Sequence, residues 1–251
     1  MTSIMISKRL ETIANYCPQG AKVADIGSDH ALLAAFLLTS GTASYVIAGE
    51  LNEGPFQAAK KQIDNLQLHQ RATVRKGDGL AVLAPQEVDV ICIAGMGGQL
   101  IASILEAGKD KLDGVSRLIL QPNVGADTVR RWLIHNGWQL VAETIMEEDQ
   151  IIYEILVAEP GDPLVPYTGQ DRTVEELIRI GPFLWREHSA ALRKKWQAEQ
   201  QKLQYVAKQL QQSSREEAKL RLDEVNRELQ WIEEVVQCLQ TDKPSFNGSN
   251  S

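Results

Sequence analysis

Through the first two-thirds of the chain, short apolar runs alternate with stretches of helical periodicity. The runs near residues 22–26, 44–50, 72–76, 88–94 and 116–121 are rich in Val, Ile and Ala and are bounded by polar or Gly-containing turns, which predicts strands. Helical spacing fills the gaps at 30–39, 54–67, 97–107 and 125–136, after an opening helix from Ser7 to Tyr16. Such alternation predicts βαβ units around a parallel sheet, an α/β fold. Two more strands, Trp138–Glu147 and Ile151–Glu159, flank the polar turn Glu148-Asp149-Gln150 and predict a closing hairpin.

Beyond Pro160-Gly161-Asp162-Pro163, a linker sequence, the pattern changes. Residues 184–212 and 214–240 are long, free of Gly and Pro, and rich in Gln, Glu, Lys and Leu. In the second, Ala218, Leu222, Val225, Leu229, Ile232, Val236 and Leu239 keep to the 4-3 steps of a heptad seam. The first carries a less regular line, Leu192, Trp196, Leu203, Val206 and Leu210, in which Trp196 reads as a seam residue. Ser213-Ser214 breaks the two, and Ser214 with Glu217 has capping-box spacing. The expected division is therefore an α/β domain over 1–163, a helical coiled-coil hairpin domain over 164–240, and a disordered tail over 241–251.

Composition narrows the class. The chain has 251 residues, 43% of them hydrophobic and 24% charged, which is ordinary for a globular protein with a full core. No apolar run is long enough to span a bilayer, and the start Met1-Thr2-Ser3-Ile4 lacks a signal-peptide pattern, so a cytoplasmic protein with no membrane partner is expected. The cysteines Cys17, Cys92 and Cys238 are far apart and form no CxxC pair, so neither a disulfide framework nor a metal site is expected. The net charge of −7 lies wholly in residues 1–164, while 165–251 are neutral and hold the basic cluster Arg193-Lys194-Lys195. A local basic surface can bind phosphate whatever the overall balance.

The chemistry gathers at the predicted strand ends. Val23-Ala24-Asp25-Ile26-Gly27-Ser28-Asp29-His30 reads as a strand that turns sharply into a helix, with Gly27 allowing backbone N–H groups near Ser28 to face a ligand. About twenty residues on, Glu50 ends strand two, where a carboxylate can hold both ribose hydroxyls. Asp78-Gly79 comes after strand three, where an adenine edge would rest, and strand four opens into Gly95-Met96-Gly97-Gly98. Ligands of open α/β sheets bind at those ends. The third glycine of an NAD fingerprint is missing, and Asp25 with Asp29 would repel a pyrophosphate. The same carboxylates suit a cationic sulfonium, so S-adenosylmethionine is the expected cofactor. A parallel sheet closed by a hairpin is also the layout of the class I Rossmann-like methyltransferase fold.

The blocks Ser7-Lys8-Arg9-Leu10, Ala24-Asp25-Ile26-Gly27-Ser28-Asp29-His30-Ala31, Ala48-Gly49-Glu50, Gly77-Asp78-Gly79, Ile93-Ala94-Gly95-Met96-Gly97-Gly98, Leu120-Gln121-Pro122-Asn123 and Gly181-Pro182-Phe183-Leu184 closely resemble the bacterial tRNA adenine-N1 methyltransferases, the TrmK family, which act on adenine 22 of tRNA. The resemblance implies a Rossmann-like domain that binds S-adenosylmethionine and a C-terminal coiled coil that helps hold tRNA. It places Asp25, Gly27 and Ser28 at the methionine part, Glu50 at the ribose, Asp78 and Gly79 at the adenine, and Gly95 and Met96 beside the methyl group and target base. Leu32 stands where the family usually has Tyr.

On this view Asp29 is the first candidate to relieve charge on the methylated purine, with His30 beside it and Gln121 or Asn123 at the base edge. Each has a plainer alternative: Asp29 as a helix N-cap, His30 as a buried helix-start residue, Gln121-Pro122-Asn123 as a turn, Met96 as a core filler. Lys8, Arg9, Arg75, Lys76, Arg130, Arg131 and Arg193-Lys194-Lys195 are the expected RNA contacts, against a plain solvated face. A monomer is favoured. A small-molecule or protein methyltransferase, and a protein that recruits partners through its coiled coil, stay open.

Overall fold

A computed structural model describes residues 4–212 and 215–240. The expected Ser213-Ser214 break, the Ser214–Glu217 capping box and the tail over 241–251 lie outside the described residues. The first compact unit is Met1–Trp185. It opens with α1 (Lys8–Asn15), whose N-cap Ser7 accepts from the Leu10 N–H at 3.2 Å. Next come β1 (Ala21–Ile26), α2 (Leu32–Thr39), β2 (Ala43–Glu50), α3 (Glu53–Asn65), β3 (Ala72–Lys76), β4 (Val90–Gly97), α4 (Gly98–Ala107), β5 (Arg117–Val124) and α5 (Ala126–His135). The hairpin of β6 (Trp138–Glu148) and β7 (Ile151–Pro160) closes the sheet.

The sheet order is β3-β2-β1-β4-β5-β7-β6, parallel through β5, with β7 antiparallel to both β5 and β6. Reversal of order between β1 and β4 creates the crevice where ligands of such sheets bind. The apolar runs are buried because helices cover both faces of a parallel sheet. Ala24, Ile26, Ile91 and Ile93 pack into one layer, and Val23, Val46, Val90 and Cys92 into the other. The strands and helices fall within a few residues of their expected bounds. Helix α2 is the exception in kind: it starts at Leu32, not at residue 30, because Asp29, His30 and Ala31 all take positive φ.

The expected domain boundary at 163/164 moves. Residues 164–185 belong with the first unit and hold an unforeseen helix, α6 (Val174–Ile180), capped by a reciprocal Thr173–Glu176 box. What ties this segment to the sheet is Arg130, which the sequence offered as an RNA contact. On α5 it has no exposed surface. Its guanidinium donates to Glu143 Oε1 of β6 at 2.7 Å, to Glu154 Oε2 of β7 at 2.6 Å and to the Ile178 carbonyl of α6 at 3.1 Å. Glu143 also accepts from the Phe183 N–H at 2.9 Å. A Cβ on Gly181 would stand 2.7 Å from Arg130 Nη2 and 3.0 Å from both Glu143 oxygens. Burial raises the Glu143 pKa, and the facing guanidinium opposes that rise.

The second unit is Arg186–Ser251. The expected single helix over 184–212 is two: α7 (Pro182–Glu187) ends before His188, which takes φ 51°, and Ser189 then caps α8 (Ala190–Gln211) by accepting from the Leu192 N–H at 3.2 Å. Helix α9 (Glu216–Gln240) packs along α8. Trp196 is buried in that seam, edge-on to Trp231 with ring centroids 5.1 Å apart. Among the heptad positions, Val225, Ile232, Val236 and Leu239 are fully buried, while Ala218, Leu222 and Leu229 are half-buried.

Arg130→Met is expected to destabilise the first unit by about 3–5 kcal/mol, because it strips the guanidinium from two buried carboxylates. Adding Glu143→Gln and Glu154→Gln should recover most of that loss. Urea unfolding of the parent and the two variants checks both expectations; an Arg130→Met chain as stable as its parent would refute the first.

Candidate functional site

Five parallel strands end on one side, and the loops that leave those ends build the site. Asp25, the penultimate residue of β1, is 4% exposed. Burial raises its pKa from 3.8 to about 6; the Ser28 hydroxyl, donating to Oδ2 at 2.5 Å, pulls it down, and the Glu50 charge raises it further. Glu50 at the end of β2 is also buried, and its Oε1 has no hydrogen-bond partner among the described residues. Its pKa is raised chiefly by burial, against the pull of the Asp29 backbone N–H. Two carboxylates that form no ion pair among the described residues therefore sit at adjacent strand ends; only the exposed His30 exerts a weak attraction on Glu50. Uncompensated charge in such places is costly and calls for a ligand that supplies donors or positive charge.

Between them the chain turns at Gly27. It takes φ 72°, and a Cβ there would lie 2.1 Å from the Met96 methyl carbon. The Met96 thioether therefore rests where a side chain at position 27 would be. This contact is a neck between two cavities. The larger, of about 670 Å³, is lined by Asp25, Ser28, Asp29, Gly95 and Asn123, together with Arg9. The smaller, of about 230 Å³, is lined by Glu50, Asp78 and Gly79, with Leu51 and Leu100 at its wall. Both touch Gly27 and Met96.

Three consecutive left-handed residues, Asp29, His30 and Ala31, lead out of the turn. Such a run is strained in residues other than Gly, and strain of this sort gathers at ligand sites. It overturns two expectations. Asp29 caps no helix, since α2 has Ala31 at its N-cap and no side-chain cap bond; the Asp29 side chain is 85% exposed. Nor is His30 buried: its side chain is 62% exposed, with Nε2 3.5 Å from Asp29 Oδ1, and it lines neither cavity.

The loop after β4 is locked from β5. Gln121, fully buried, accepts from the Gly95 N–H at 3.1 Å and from Arg9 Nη1, and donates to Asn123 Oδ1 at 3.1 Å. Asn123 donates in turn to the Gly95 carbonyl at 2.8 Å. With both backbone groups of Gly95 held, the loop keeps its φ of 78°. Gln121-Pro122-Asn123 is thus the continuation of β5 and a brace for the loop, rather than a free turn. Met96 is half-buried and packs on the core as well as forming the neck.

The basic residues separate. Arg9 lines the larger cavity, and Lys8 is exposed beside it. Arg131 pairs with Glu175, Arg75 with Glu87, and Lys76 with Glu53, so these three are engaged on the surface. In the second unit Lys194 is exposed, Arg193 is half-buried, and Lys195 Nζ lies 5.2 Å from the Trp196 ring centroid. Sequence reasoning missed Tyr153 of β7, which lines the larger cavity; nothing in its strand-like neighbourhood marks it. Among the described residues no cluster of three or more His, Cys, Asp or Glu side chains could hold a metal ion, and no helix is long and apolar enough to cross a membrane.

Comparison with known proteins agrees with this geometry. A family model described as tRNA (adenine(22)-N(1))-methyltransferase, TrmK, matches residues 23–234. The tRNA (adenine(22)-N(1))-methyltransferase of Bacillus subtilis (strain 168) is 46% identical over 237 residues, covering 94% of this chain and 99% of that protein. The crystal structure of the B. subtilis M1A22 tRNA methyltransferase TrmK superposes with a TM-score of 0.87 at 46% identity, over 93% of this chain and 99% of that one. A Streptococcus pneumoniae protein solved in complex with S-adenosyl-L-methionine gives a TM-score of 0.80 at 42% identity, over 92% of this chain and all of that one.

The raised Asp25 pKa has a definite sign. The folded state holds the proton up to about pH 6 and the unfolded chain only to about 3.8. The ligand-free protein therefore loses stability as pH rises through that window, by about 3 kcal/mol in all, and stays at the lower level above it. Asp25→Asn is expected to unfold at a higher temperature than the parent above pH 6 and at nearly the same temperature near pH 4. Thermal unfolding scans across pH 4–8 check this; parallel curves for the two proteins would refute it.

Proposed function

The chain belongs to the tRNA (adenine(22)-N(1))-methyltransferase family, and we infer from that membership and from its site that it transfers a methyl group from S-adenosylmethionine to N1 of an adenine in tRNA. The observation that carries this reading is the pair of buried carboxylates, Asp25 and Glu50, that form no ion pair among the described residues and lie on either side of the Gly27 neck.

The residues present fit the cofactor. Glu50 Oε1, buried and without a partner, can accept from ribose hydroxyls in the smaller cavity. Asp78, exposed at the same cavity beside Gly79, can accept from the adenine amine. Asp25, with Ser28, suits an ammonium group in the larger cavity, where a positive charge relieves the cost of its burial. The missing side chain at Gly27 leaves room for the Met96 thioether, which borders the neck between the cavities. Bound there, S-adenosylmethionine supplies a methyl group made electrophilic by its sulfonium.

Adenine N1 carries its own lone pair, so the chain needs no strong base and its main work is placement. The Gln121–Asn123 brace keeps the Gly95 backbone fixed next to Met96 at the neck, where methyl group and base would meet. Methylation puts positive charge on the purine. Asp29, exposed in the larger cavity, is placed to stabilise that charge or to take the N6 proton, with His30 beside it. Lys8 and Arg9 at the mouth, and Arg193, Lys194 and Lys195 on the helical hairpin, supply cations for the tRNA backbone. Arg130 does not: it is buried in the first unit's core. The working form is a cytoplasmic monomer without metal, the sheet unit carrying the chemistry and the hairpin helping to hold tRNA.

Incubation of unmodified tRNA with the protein and methyl-labelled S-adenosylmethionine, then nuclease digestion and mass spectrometry, is expected to show N1-methyladenosine at one tRNA position. Label on another base, or only on protein or small molecules, would refute the reading. Asp29→Ala is expected to lower kcat by about 100-fold while leaving cofactor affinity within twofold. Single-turnover rates and calorimetry measure the two effects; an unchanged rate would remove Asp29 from the chemistry.

A further inference from the structure

Tyr153 is the one aromatic side chain among the described residues that line the larger cavity. It stands on β7, an antiparallel strand, rather than at the parallel strand ends that hold the carboxylates. The Arg9 guanidinium lies over it, 5.2 Å from the ring centroid. Arg9 Nη1 is also bonded to the buried Gln121, so the guanidinium plane is held from two sides. No carboxylate among the described residues pairs with that side chain, unlike Arg75, Arg130 and Arg131. A half-buried, fixed and unneutralised guanidinium over a phenol ring, facing a cavity of about 670 Å³, is poorly explained as a brace for the fold alone.

A planar cation on an aromatic ring is a surface that nucleobases favour. Bases displaced from RNA stack on aromatic side chains and on Arg planes. Adenine N1 is engaged when the base is paired, so the purine must leave its stack and needs a surface that replaces it. We propose that the Arg9–Tyr153 pair is the platform on which the displaced adenine stacks, in the same cavity as Asp29 and Gly95. This rests on the methyltransferase reading and deepens it: it assigns Tyr153 to the substrate base and turns Arg9 from a backbone contact into part of the base pocket.

The test compares two tRNAs, one with the target adenine and one abasic at that position, bound to the full-length chain and its variants. The parent protein is expected to bind the first about 5- to 100-fold more tightly, the range that base–aromatic stacking commands. Tyr153→Ala should bring that ratio close to one and lower kcat/KM for tRNA by a similar factor, with S-adenosylmethionine affinity within twofold of the parent. Tyr153→Phe, which keeps the ring, should behave as the parent. Tyr153→Leu fills the same space without a ring and should behave as Tyr153→Ala, so a folding defect in the alanine variant leaves the test intact. Arg9→Lys keeps the charge but not the plane and should also lose discrimination. If the parent methylates tRNA while Tyr153→Leu keeps both discrimination and kcat/KM, this inference falls alone. If the parent methylates no tRNA adenine, the methyltransferase reading falls and takes the platform with it.

Discussion

One buried cation ties the closing hairpin and the segment after it to the rest of the first unit. Arg130 reaches from α5 to β6, β7 and α6 at once, and Glu143 passes the connection on to Phe183. Each carboxylate in that cluster would be costly in the core by itself; around one guanidinium with every contact charge-assisted, the cluster becomes a junction. It gives residues 164–185 their place against the sheet. It also explains the Gly181-Pro182-Phe183 block in structural terms, since any side chain at position 181 would push into the ions.

The opposite arrangement obtains at the strand ends. Asp25 and Glu50 are as buried as the acids around Arg130, yet among the described residues neither forms an ion pair like those at Arg130. Against their burial stand the Ser28 hydroxyl and backbone N–H groups, with a weaker attraction of the exposed His30 on Glu50. The protein thus contains two kinds of buried acid, one completed internally and one left for a ligand to complete. The distinction is the physical basis for separating scaffold from site, and it agrees with the family to which the chain belongs.

Much of the scaffold was legible because apolar runs of strand length lay between Gly-containing turns, and that pattern is set by local chemistry. The candidate residues after β1, β2, β3 and β4 could be named for the same reason, since strand ends are where a doubly wound sheet exposes its backbone. What was hidden depended on partners far away in sequence. Arg130 looked like any surface cation on an amphipathic helix, because its acids sit on strands 13 and 24 residues on. The left-handed run at Asp29, His30 and Ala31 and the break at His188 could not be foreseen, because non-Gly residues carry little signal for positive φ. The paired states of Arg75, Lys76 and Arg131 were likewise matters of tertiary geometry.

Tyr153 and Glu154 are neighbours on β7, and neighbours on a strand point to opposite faces. One faces the larger cavity and the other the buried guanidinium. A slip of one position would exchange them, setting a phenol against Arg130 and a carboxylate in the pocket. The ionic junction thereby acts as a register pin for the face that lines the larger cavity. The Glu148-Asp149-Gln150 bend, though exposed, is consequently a poor place for a single-residue insertion or deletion, and homologous chains should vary there by substitution more readily than by length.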